Sequence, residues 1–75
     1  MTDPDEFLRA LGKRIRILRL TAELTQDDLA ARTDMSRSFV SLIEHGAHGI
    51  DVVRLLRIAQ AFDMRLSDLI GPVES

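Results

Sequence analysis

Cysteine is absent from this 75-residue chain, which removes disulfides, thiolate zinc sites and cysteine nucleophiles at once. No apolar run approaches the ~18 residues that mark a membrane span. The opening residues, Met1-Thr2-Asp3-Pro4-Asp5-Glu6, are acidic, the opposite of a secretory leader, so the cytoplasm is the expected location. There is no period-two alternation of the kind that marks strands, and no linker, low-complexity stretch or internal repeat. The length suits one domain, 1–75 with a core of about 5–70, and a separate ligand-sensing unit is not expected beside it. No cofactor and no small-molecule ligand are expected.

The chain also lacks the basic balance common in nucleic-acid-binding domains, since its net charge is −2. The distribution offsets this. Residues 9–20 carry +5 from Arg9, Lys13, Arg14, Arg16 and Arg19 with no acid among them, while residues 1–8 and 21–34 carry −3 each. Charge further than ~10 Å away is screened, so a phosphate backbone feels one face and not the total.

Apolar spacing and cap residues divide the chain into five helices, an all-α reading. The first runs from about Asp5 to Leu20 on a stripe of Phe7, Leu8, Leu11, Ile15 and Leu18. Thr25 opens the second, with Asp28 three residues on in a capping-box arrangement, and it reaches about Thr33. Ser36 caps a third helix that ends at Glu44 before Gly46. Asp51 caps a fourth, in which Val52, Leu55, Leu56, Ala59 and Phe62 recur at helical spacing. The fifth covers Leu66 to Ile70 and is expected to stop at Gly71-Pro72, leaving Val73 to Ser75 frayed.

The second and third helices with their short connection satisfy the spacing of a helix-turn-helix from Gln26 to Glu44. A small residue, Ala30, stands where the helices come closest, and Asp34 is the permissive turn residue. Met35 plugs back into the core, and Val40 and Ile43 hold the second helix down. Arg37, Ser38, Ser41 and Leu42 are left to face a groove.

The stretch Thr25-Gln-Asp-Asp-Leu-Ala-Ala-Arg-Thr-Asp-Met-Ser-Arg-Ser-Phe-Val-Ser-Leu-Ile-Glu-His-Gly46 resembles the signature of the Xre/Cro/phage-repressor helix-turn-helix family. The likeness extends to Leu11-Gly-Lys-Arg-Ile-Arg-Ile-Leu-Arg19, Leu55-Leu-Arg-Ile-Ala-Gln-Ala-Phe62 and Leu66-Ser-Asp-Leu69, about four-fifths of the chain. Arg37-Ser-Phe-Val-Ser-Leu-Ile-Glu44 is similar, more narrowly, to controller proteins of restriction–modification systems. The resemblance implies a compact five-helix DNA-binding domain. It puts Gln26 on a phosphate, Arg37 on a base edge, Ser36, Ser38 and Ser41 on bases or phosphates, and His45 and His48 near the backbone. It also implies a buried ion pair between Arg19 and Glu44. Three positions depart from the family: Asp34 replaces the usual Gly, Ile50 the common Pro, and Leu42 is unusually apolar. Leu42 either meets a thymine methyl or faces away from DNA.

Phe39 reads as a packing residue, and most of the basic run as a solvated face with one or two phosphate contacts. Glu44-His45-Gly-Ala-His48 is not the H-E-x-x-H zinc arrangement, and Gly46 should break the helix that would align the imidazoles, so no metal is expected. No nucleophile–base–orienter set appears, which argues against an enzyme. The expected function is transcriptional regulation by a homodimer on double-stranded DNA at a pseudo-palindromic operator, with Leu66, Leu69, Ile70 and Val73 as the dimer interface. The rival is an antitoxin-like or adaptor module for protein partners on the same fold.

Overall fold

Asp3 opens the first helix. Its carboxylate accepts from the Glu6 N–H at 3.3 Å, and Pro4 takes a position where a missing N–H costs nothing. The computed structural model describes residues 3–74 and orders them as α1 (Pro4–Thr21), α2 (Gln26–Thr33), α3 (Arg37–Glu44), α4 (Val52–Ala61) and α5 (Leu66–Glu74), with no strand among them. The later starts are capped as their sequences demand. Thr25 and Asp28 form a reciprocal capping box with bonds of 3.0 and 2.9 Å. Ser36 accepts from the Phe39 N–H at 3.1 Å, and Asp51 accepts from the Arg54 N–H at 3.2 Å.

Helices α1 to α4 end in one common way. Glu23 (φ 59°), Asp34 (φ 56°), Gly46 (φ 68°) and Asp63 (φ 55°) take left-handed backbone. The next N–H then reaches back to an orphaned carbonyl: Leu24 to Arg19, Met35 to Ala30, Ala47 to Leu42 and Met64 to Ala59, each at 3.0 Å. Glycine stands at only one of these ends. There a Cβ would sit 2.7 Å from the Cα of Arg9, so space as well as φ demands it.

The core is built from Leu11 and Ile15 of α1, Leu29 and Ala30 of α2, Val40 and Ile43 of α3, Leu55, Ile58 and Ala59 of α4, and Leu69 of α5. Two sequence expectations change here. On α4 the buried face is Leu55, Ile58 and Ala59, while Val52 and Leu56 lie on its flank and are exposed with Val53. Helix α5 does not stop at Gly71-Pro72 but runs on to Glu74, with Val73 half-buried against the core. Pro72 has no N–H to give the carbonyl of Asp68, and Arg14 of α1 supplies the bond instead. Its Nη2 donates to Asp68 at 2.9 Å and its Nε to the Leu69 carbonyl at 2.6 Å.

The same packing removes one residue, Leu69, from the expected dimer surface. Leu69 is fully buried and cannot touch a partner, because α1 and α4 close over it. Leu66, Ile70 and Val73 are half-buried against the chain's own core. No helix is long and apolar enough to cross a membrane among the described residues.

Candidate nucleic-acid interface

Helices α2 and α3 meet through Asp34, Met35 and Ser36. Ala30 is buried at the crossing, Thr33 is buried with its hydroxyl donating to the Leu29 carbonyl at 2.7 Å, and Met35 packs on the core. These contacts fix α3 so that Val40, Ile43 and Glu44 point inward. The opposite face of α3 and the start of α2 form one open groove lined by Gln26, Arg37, Ser38, Ser41 and Leu42. Five of the eight expected DNA-facing residues therefore converge.

Arg37 is well placed to leave the surface. Its Nε lies 3.9 Å from the Asp27 carboxylate, with both side chains at least two-thirds exposed. A pair that open to water contributes little and gives way readily to a phosphate or base. Gln26 is half-buried and donates from its amide to Glu44 Oε1 at 3.2 Å, which orients the side chain at the first turn of α2.

Glu44 is the hub beneath this face. Arg19 grips it with two arms, Nε to Oε2 at 2.7 Å and Nη2 to Oε1 at 3.0 Å, and its third nitrogen donates to the Leu24 carbonyl at 2.9 Å. Both side chains are nearly buried. The hydrogen bond to Glu44 raises the guanidinium pKa above its ordinary value, with burial opposing and charge attraction adding to it. The pair ties α1 to the end of α3, and through Gln26 to the start of α2.

The remaining expected residues lie elsewhere. Ser36 spends its hydroxyl on the cap of α3 and borders a shallow cleft with Asp34, Met35, Phe39 and Arg54. His45 donates from Nδ1 to the Ser41 carbonyl at 2.7 Å and borders a smaller cleft with Arg16, Arg19, Gln26 and Glu44. His48 donates from Nδ1 to the Gly49 carbonyl and sits edge-on to Phe39, 5.4 Å between centroids. The Arg54 guanidinium lies 5.0 Å from the same ring, so Phe39 is a packing post for the α3–α4 loop.

The basic run of α1 divides by role. Arg14 caps α5 and Arg19 holds Glu44, while Arg9, Lys13 and Arg16 are exposed at a spacing that shares one helix face. Arg16 had no individual signal in the sequence beyond that spacing.

The helix-turn-helix domain model matches residues 10–69. The control protein C.MunI of a Mycoplasma species is 31% identical over 64 residues, covering 84% of this chain and 86% of that one. The control protein C.BamHI of Bacillus amyloliquefaciens is 28% identical over 60 residues, covering 79% and 74%. Among solved structures, the restriction-modification controller protein C.AhdI from Aeromonas hydrophila superposes with a TM-score of 0.80 at 34% identity, covering 83% of this chain and 94% of that one. With the matched region spanning all of α2 and α3 and the groove they form, the chain belongs to the helix-turn-helix family of DNA-binding transcriptional regulators.

Proposed function

We propose that this chain is a sequence-specific regulator that binds double-stranded DNA as a homodimer on a pseudo-palindromic operator, as a restriction–modification controller working in the cytoplasm. The observation that carries this is the groove in which Gln26, Arg37, Ser38, Ser41 and Leu42 come together. Arg37 offers two parallel N–H donors to guanine O6 and N7. Gln26 and the free N–H groups of the first turn of α2 hold a phosphate. Ser38 and Ser41 contact bases or phosphates. His45 reaches the backbone at the C-terminal end of α3, with His48 in the loop that follows and Ser36 at the opposite end of the helix.

One eight-residue reading helix contacts too few base pairs for genomic selectivity, and pairing two supplies both affinity and two-fold readout. One apolar surface open to a second copy is on α4. Val52, Val53 and Leu56 are 68, 58 and 41% exposed within five residues, with Leu66, Ile70 and Val73 of α5 only partly covered.

The test is enrichment of random duplexes by the purified protein, followed by gel retardation of the enriched and scrambled sequences at moderate salt. Preferential retardation supports the reading. Arg37→Ala should weaken specific binding by about 1–3 kcal/mol and relax preference at one base pair of each half-site. The net charge of −2 favours a second reading, a protein-interaction module, whose sign would be equal indifference to both duplexes.

A further inference from the structure

We propose that Leu42 is a specificity-determining residue that reads the C5 methyl group of thymine in the major groove. This rests on the DNA-binding reading above. Leu42 is 43% exposed although it is a large apolar side chain on a helix whose other apolar residues, Val40 and Ile43, are buried and Phe39 packed. It lines the same groove as Arg37, Ser38, Ser41 and Gln26, and it is the only apolar member of that set. Its place is therefore not a lapse in core packing but a position on the reading face.

The chemistry of base edges narrows what it can meet. Guanine, cytosine and adenine present hydrogen-bonding groups to the major groove, and thymine adds a methyl. Pressing a leucine on the amino group of adenine or cytosine strips water from a donor and returns no partner. Pressing it on a methyl buries two apolar surfaces together. The two serines add little selectivity of their own, since a hydroxyl can donate or accept and suits any base. Arg37 selects guanine. Leu42 supplies the complementary information, a thymine elsewhere in the half-site, by favouring one base and penalising the others.

Deoxyuridine isolates the claim, because it keeps every hydrogen-bonding group of thymine and lacks only the methyl. Each thymine of an enriched duplex is replaced in turn by deoxyuridine, and affinity is measured by fluorescence anisotropy. The unaltered protein should lose about two- to fourfold at one position of each half-site, the value of a methyl-sized apolar contact. Leu42→Ala should bind thymine and deoxyuridine duplexes equally at that position, and helical circular dichroism checks that it remains folded. Indifference of the unaltered protein at every thymine overturns the proposal. So does a deoxyuridine penalty that persists in Leu42→Ala, or an enriched site with no thymine in its half-sites. Loss of all sequence preference in the unaltered protein takes down the DNA-binding reading itself, a distinct result.

Discussion

Gly12 lies so close to the last turn of α3 that a methyl on its Cα would stand 2.6 Å from the carbonyl oxygen of Glu44. The neighbour is backbone and cannot swing aside. Gly12→Ala gains helix propensity of about 1 kcal/mol but must push α1 off α3, and overpacking of this kind costs about 1–3 kcal/mol. A lower melting temperature is expected. Gly71, also helical, has open space where a methyl would go, with nothing within 4 Å, so Gly71→Ala should gain about 0.5–1 kcal/mol. If Gly12→Ala raises stability as Gly71→Ala is expected to, the close approach at Gly12 is not what limits it.

The pair formed by Arg19 and Glu44 makes a second expectation. Removing one partner strands the other charge beneath the reading helix, at a cost of about 3–5 kcal/mol. Glu44→Ala should therefore unfold at markedly lower urea. Replacing both partners by Met and Leu should recover much of the loss, because an apolar pair of similar volume has no desolvation to repay. A Glu44→Ala variant that unfolds at the original urea midpoint would show the pair to be worth nothing.

Acid should loosen the start of α2. Hydrogen bonds from the Thr25 N–H and side chain hold the Asp28 carboxyl below its ordinary value, with burial opposing and Arg32 adding a weaker attraction. A depressed folded pKa stabilises fully above the unfolded value of about 3.9 and loses that contribution as pH falls through the folded one. The stability difference between the original chain and Asp28→Asn should be constant from pH 7 to about 5 and shrink below about 4. A difference that stays level down to pH 2.5 would show that the capping carboxylate contributes nothing through its charge.

The features legible in the sequence are those decided within one turn of the chain. The Thr25–Asp28 box, the Ser36 and Asp51 caps and the left-handed Asp34 follow from neighbours three or four residues away. The illegible ones depend on distant partners. Gly71-Pro72 reads as a helix stop until Arg14, 54 residues before Asp68, is seen to serve the Asp68 carbonyl that proline leaves unmet and the Leu69 carbonyl beside it. On α4, Val52 and Leu56 fit the apolar period as well as Ile58 does, and only the placement of α2 and α5 decides which side is buried. The groove lies between these cases. Arg37, Ser38, Ser41 and Leu42 follow from helical phase, whereas the hold of Glu44 on Gln26 needs the fold.

Dimerisation is the expectation on which the operator model depends. Two copies should place their α3 helices about one DNA turn apart, roughly 34 Å, and the exposed apolar patch of Val52, Val53 and Leu56 is the interface proposed to hold them. A charge there meets water in the monomer at little cost but is desolvated in the dimer, so Val53→Asp or Leu56→Glu should shift association towards monomer without disturbing the core. Sedimentation at micromolar concentration reads this directly, and melting curves confirm that the variants are folded. Leu69→Glu is a poor probe by comparison, since it would unfold the chain whatever the interface. Ile70→Glu and Leu66→Glu separate an α5 contribution from that of α4. If the dimer survives charge on α4 and falls with Ile70→Glu, the interface lies on α5. If the unaltered protein stays monomeric and one copy saturates a single asymmetric site, the pseudo-palindromic operator is wrong.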